Sequence, residues 1–89
     1  MFKSIRSDSY LNSLWVVAAA RRDRGLTQAE LAGRLNKPQS YISKIETGER
    51  RLDIAEFYAI AVALEVDPTA LFQQVVTSLK PKAVEGVPS

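Results

Sequence analysis

The chain contains no cysteine and no histidine. The first absence excludes disulfide scaffolds and thiol nucleophiles, and together they exclude zinc sites and imidazole acid-base chemistry. No catalytic residue, metal or cofactor is expected. Long apolar stretches are missing as well, and no segment approaches the roughly 20 apolar residues of a membrane span. Lys3 and Arg6 followed by Leu14 to Ala20 superficially imitate a secretory signal. That apolar run has only seven residues, Asp8 and Asn12 interrupt its approach, and Arg21, Arg22 and Arg24 follow as they would in the last turn of a helix. A cytoplasmic protein without a membrane partner is therefore expected.

Basic residues are absent from a whole segment: residues 52–79 hold four acidic side chains and no Lys or Arg. Residues 1–51 hold ten Lys and Arg against five Asp and Glu, so a net charge of +2 conceals a basic half and an acidic segment. A basic face on a small domain points to a polyanion partner. Eighty-nine residues allow one small domain, since a chain of this size buries only about 60% of its unfolded surface. With 46% apolar and 25% charged residues it has the composition of a folded globular protein.

Helix starts are written in local chemistry. At Thr27 a capping box runs to Glu30 with Leu26 and Leu31 as its hydrophobic staple; at Asp53 the box runs to Glu56 with Leu52 and Phe57. Asp67 is followed by Pro68 at a first helical position, with Val66 and Leu71 as staple. These predict helices near 28–35, 54–65 and 68–79. A longer helix, capped within Ser7 to Ser9, runs to Arg24 and stops at Gly25, and a short one lies between Pro38 and Gly48. Five helices with short loops make a compact all-α domain over residues 10–79, with a flexible arm at 1–9 and a disordered tail at 80–89. Leu14, Val17, Ala20, Leu26, Leu31, Leu35, Ile42, Ile45, Ile54, Phe57, Ile60, Ala61, Leu64, Val66 and Leu71 are the expected core.

The segment from Gln28 to Thr47 carries the functional signal. Two short helices joined by a turn at Asn36 and Lys37 must cross steeply, and Ala32 leaves room for the approach. Asn36 supplies the left-handed turn that glycine more often supplies. On the second of these helices Ile42 and Ile45 point inward, which turns Ser40, Ser43 and Lys44 outward, with Gln39 at the exposed N-terminal edge. An amide, hydroxyls and an ammonium can hydrogen-bond base edges in a major groove.

In Arg21-x-x-x-Gly25-Leu26-Thr27-Gln28-x-x-Leu31-Ala32, Pro38-Gln39-Ser40-Tyr41-Ile42-Ser43-Lys44-Ile45-Glu46-x-Gly48 and Ala63-Leu64-Glu65-Val66-Asp67-Pro68, the sequence resembles the phage-repressor (Xre/Cro-type) helix-turn-helix family over about residues 14–73. The resemblance implies a lambda-repressor-like fold whose helix from Gln39 lies in the major groove of double-stranded DNA, with Gln39, Ser40 and Lys44 reading bases. It implies that Gln28 holds a phosphate and buttresses Gln39. Thr27, Lys37, Tyr41, Ser43, Arg50 and Arg51 become positioning contacts to the DNA backbone, and Arg21 with Glu46 a structural ion pair. Three positions depart from the pattern: Asn36 replaces the usual turn glycine, Lys37 an apolar residue, and Pro38 a Ser or Thr cap. The orientation of the recognition helix is where these departures bear.

Leu71, Phe72, Val75, Val76 and Leu79 form a stripe on the last helix that extends beyond the shared core, and Tyr10, Leu11 and Trp15 a surplus on the first. Either the stripes pack together within one chain or they form a symmetric dimer interface. A single recognition helix offers few base contacts, which favours the homodimer, with Leu11, Trp15, Phe72, Val75, Val76 and Leu79 as its candidate residues. The expected function is a non-enzymatic transcriptional regulator, most simply a repressor on an inverted-repeat operator. An antitoxin with a toxin partner, a restriction-modification controller and a DNA-independent protein adaptor are the alternatives.

Overall fold

Both capping boxes close reciprocally. Thr27 Oγ1 accepts from Glu30 N at 3.0 Å while Glu30 Oε1 accepts from Thr27 N at 2.8 Å. Asp53 Oδ1 accepts from Glu56 N at 2.7 Å, and Glu56 Oε1 from Asp53 N at 3.1 Å. They open two of the five helices of the computed structural model, which describes residues 8–79. The order is α1 (Asp8–Asp23), α2 (Gln28–Arg34), α3 (Gln39–Thr47), α4 (Ile54–Ala63) and α5 (Pro68–Leu79), with no strand among the described residues. The expected arm at 1–7 and tail at 80–89 lie outside those residues. Asp8 and Ser9, assigned to the arm from sequence, instead open α1, where an acidic first turn suits the positive end of the helix dipole.

Three helices end in the same motif. After α1, Gly25 N donates to Arg22 O and Leu26 N to Arg21 O; after α2, Asn36 N donates to Gly33 O and Lys37 N to Ala32 O. After α4, Glu65 N donates to Val62 O and Val66 N to Ala61 O. This is the Schellman pattern, which requires a left-handed residue at the helix exit. Gly25, Asn36 and Glu65 supply it with φ of 74°, 58° and 61°. The exit through Glu65 shortens α4 relative to the expected 54–65. At the end of α3, Gly48 has φ 84°, a backbone conformation that favours glycine, and a Cβ there would also push on the tip of Leu11, 2.9 Å from its Cδ2.

Leu14, Leu31, Ile42, Ile45, Ile60 and Leu64 are the largest fully buried side chains. Around them pack the partly buried Ala20, Leu26, Leu35, Phe57 and Val66. One expected core residue is elsewhere: Ile54 is 87% exposed. The inward line of α4 runs through Phe57, Ile60, Ala61 and Leu64, and Ile54, at the first position of the helix, lies ahead of it. The staple residues Leu52 and Phe57 close that end of the core instead.

The two surplus stripes do meet, because α5 packs along α1. Val75 is buried in that seam and is removed from the candidate dimer interface, while Leu11 is half-buried against the core. The reason is geometric: residues 71 and 75 lie one helical turn apart on the side of α5 that α1 covers. Trp15, Phe72, Val76 and Leu79 stay exposed.

Candidate nucleic-acid interface

Glu46, in the last turn of α3, organises a chain of polar contacts. Arg21 Nε donates to its Oε2 at 2.7 Å and Arg21 Nη2 to its Oε1 at 3.1 Å, while Arg21 Nη1 donates to Leu26 O at 2.7 Å. The two side chains are only 9% and 8% exposed. Burying a charge pair is tolerable when geometry and partners are complete, as they are here. Among the described residues no buried side-chain nitrogen or oxygen lacks a partner.

The chain continues toward solvent. Gln28 Nε2 donates to Glu46 Oε1 at 2.9 Å, and Gln39 Nε2 donates to Gln28 Oε1 at 3.2 Å. A carboxylate can only accept, so the amide nitrogen of Gln28 must face Glu46. Its oxygen must then face Gln39, whose own amide nitrogen turns inward. The direction of the whole relay follows from one negative charge. Gln39 keeps its Oε1 and its second amide N–H at the exposed edge of α3, the pair of groups that suits adenine N6 and N7.

Beside Gln39, the exposed outer face of α3 carries Ser40 and Lys44. Ser43 is half-buried on its flank and Thr27 is exposed at the start of α2. Pro38 precedes the helix with φ −72° and ψ 158° and offers no side-chain cap, though its carbonyl accepts from Tyr41 N at 3.0 Å. A fixed φ near this value is what a helix entrance needs.

On the other flank Tyr41 is a platform for cations. Lys37 Nζ lies 5.0 Å and the Arg50 guanidinium carbon 4.9 Å from its ring centroid. Burial, then the charge of Glu56 and its hydrogen bond, raise the phenol above its ordinary value, while Arg50 pulls it down. The phenol is therefore neutral near pH 7. Arg50 Nη2 also donates to Glu56 Oε2 at 2.5 Å, and Arg51 stacks over Tyr10 at 4.9 Å. Thus Gln28, Gln39 and the Arg21 to Glu46 pair are joined in one network and Lys37, Tyr41 and Arg50 in a second cluster, which Arg51 joins only through its carbonyl, an acceptor for Arg50 Nη1 at 3.4 Å.

Sequence reasoning missed two features. Arg24 Nε donates to Leu64 O at 2.9 Å and Arg34 Nη1 to Ala63 O at 2.7 Å, so an arginine just after α1 and one in α2 satisfy the carbonyl end of α4, a segment without cations of its own. Glu56 was read only as a capping-box partner and also holds Arg50. The acidic residue three positions into α4 was visible, but its second contact depends on how the loop folds back.

The helix-turn-helix family model matches residues 17–71. The chain is 39% identical over 54 residues to an uncharacterized HTH-type transcriptional regulator of Sinorhizobium fredii, covering 61% of this chain and 70% of that one. Among solved structures, an XRE-family like protein from Pseudomonas syringae pv. tomato superposes with TM-score 0.75 at 41% identity, covering 84% of this chain and 92% of that one. The restriction-modification controller protein C.Esp1396I, as a tetramer in complex with its natural 35 base-pair operator, gives TM-score 0.75 at 29% identity, covering 85% and 100%. The chain belongs to the Xre-type helix-turn-helix family of transcriptional regulators.

Proposed function

We propose that the protein binds double-stranded DNA sequence-specifically as a homodimer, and that it represses transcription by occupying an inverted-repeat operator. The observation that carries this reading is the outer face of α3. Gln39 is held by a relay anchored in a buried carboxylate, with Ser40 and Lys44 exposed beside it. In the complex Gln39, Ser40 and Lys44 read base edges in the major groove. Thr27, Gln28, Lys37, Tyr41, Ser43, Arg50 and Arg51 set the register against phosphates. Such a protein acts in the cytoplasm, on the chromosome.

The homodimer is supported by the apolar face left on α1, α4 and α5. Trp15, Ile54, Tyr58, Phe72 and Val76 are large exposed side chains, and Ile54, Tyr58 and Phe72 border an apolar groove of about 510 Å³. A contiguous apolar surface on a small domain marks an interaction site, and the occupant proposed is a second copy. The assembly of C.Esp1396I on its operator favours this occupant and also favours a restriction-modification controller as the regulator type.

The test is selection of bound sites from a randomised duplex library at near-physiological salt, with sedimentation of the free protein. The proposal expects an inverted repeat with half-sites about 34 Å apart and a dimer that Phe72→Glu dissociates. Recovery of no enriched site contradicts it.

A further inference from the structure

The contacts of Glu56 extend past helix capping. Its Oε1 accepts from Asp53 N at 3.1 Å, which fixes the carboxylate at the start of α4. Its Oε2 accepts from Arg50 Nη2. The same guanidinium lies over Tyr41, whose ring also meets Lys37. Arg50 N donates to Lys44 O at 3.0 Å, so the backbone of Arg50 is tied to α3 itself. The pair is not sealed: the Arg50 side chain is 41% exposed and that of Glu56 18%.

A pair whose guanidinium is 41% exposed contributes less stability than a sealed one and leaves the cation within reach of another anion. A guanidinium has five N–H donors in a rigid fork that matches phosphate geometry. In the free protein one of those donors is committed to a carboxylate that carries the same charge as a phosphate. We propose that Glu56 is a latch on Arg50: it parks the guanidinium against Tyr41 beside α3, and a duplex phosphate displaces it on binding. This rests on the DNA-binding reading above and adds to it a positioning residue outside the helix-turn-helix. The carboxylate holds Arg50 in place at the cost of competing with DNA, so it lowers affinity and damps salt dependence.

Glu56→Gln tests this with little risk to folding, because Gln serves equally at the third position of a capping box. In the wild type the phosphate contact of Arg50 forms as its pairing with Glu56 breaks and the released carboxylate takes up a cation, whereas in the variant the contact forms without that uptake, each phosphate contact contributing about −0.9 to the slope of log K against log salt. The expected result is about three- to tenfold tighter binding to a selected duplex at low salt, with a slope steeper by about one. In an Arg50→Ala background Glu56→Gln should leave the slope unchanged, and Glu49→Gln, which removes an exposed neighbouring carboxylate, should leave it unchanged in the wild type. Without DNA, Glu56→Gln should lower the titration midpoint of Tyr41. A wild type that binds the duplex while Glu56→Gln gives an equal or shallower slope overturns the latch alone. A steeper slope that persists without Arg50 also overturns it, as a general charge effect. A wild type that retains no duplex overturns the DNA reading, and the latch with it.

Discussion

Near the C-terminal end of α3 stand two arginine–glutamate pairs in different surroundings. Arg21 and Glu46 are almost out of water and joined by two hydrogen bonds, and Arg21 Nη1 donates a third to Leu26 O. Arg50 and Glu56 share one hydrogen bond, and the guanidinium is half in solvent. Removing a charge from water costs several kcal/mol, offset only when its partners are complete, so the inner pair has to be saturated and static. In the outer pair the Arg50 side chain is 41% exposed and Glu56 18%, so the guanidinium keeps much of its hydration and less is lost if the pair is broken. The same two residue types therefore lock the fold at one place and, in the latch proposed above, face a ligand at the other. What separates the roles is burial, not chemistry.

Breaking the inner pair gives the largest expected effect. Glu46→Ala leaves Arg21 charged and buried without its carboxylate, and should destabilise the fold by about 3–5 kcal/mol in urea unfolding. Glu56→Ala at the outer pair should cost about 1 kcal/mol, mostly through the lost cap. Equal losses at the two sites would contradict the contrast.

A second contrast lies within α5. Val75→Ala should cost about 2 kcal/mol because the side chain is buried against α1, whereas Phe72→Ala should cost less in a monomer and act mainly on association. Phe72 meets Phe57 edge-on at 5.9 Å, so its effect on stability is small but not zero. Concentration-dependent melting separates the two: only the Phe72 variant should lose its dependence.

Among the left-handed helix exits, Glu65→Gly should stabilise by about 1 kcal/mol and Asn36→Gly by less, since Asn tolerates positive φ better than Glu. Thermal melts of both variants at neutral pH check the order.

The smallest effect is alkaline. The Tyr41 phenol is raised above 10.0, chiefly by burial and then by Glu56. Because the folded value is the higher one, the folded state holds the proton more tightly. The associated stability is complete below about pH 10 and is lost as pH rises through the folded value. Tyr41→Phe should therefore flatten the decline of urea midpoint above pH 10, and an unchanged decline would contradict the environment described for the ring.

Local chemistry was legible in the sequence, and chemistry that closes over distance was not. The boxes at Thr27 and Asp53 span three residues, so each helix start could be read without knowing the fold. Asn36 in the left-handed region was legible for the same reason; Glu65 was not, because its side chain gives no sign of it. Arg24 to Leu64 O bridges 40 residues and Arg34 to Ala63 O bridges 29, and nothing in periodicity brings them together. Ile54 and Val75 exchanged places between core and surface because periodicity defines a face but not which neighbour covers it. The outward set of Gln39, Ser40 and Lys44 followed from Ile42 and Ile45 pointing inward, and that inference needed only helical geometry.

Under the proposed function, the relay from Glu46 through Gln28 presents Gln39 to a base. The most direct measurement is the Kd of the wild type and of Gln39→Ala on a selected duplex and on a scrambled one, each as a function of salt. Gln39→Ala is expected to lose about 1–3 kcal/mol of discrimination between the two duplexes with the salt slope unchanged, because a base contact carries no counterion. Equal weakening on both duplexes, with a shallower slope, would make Gln39 a phosphate contact and contradict it.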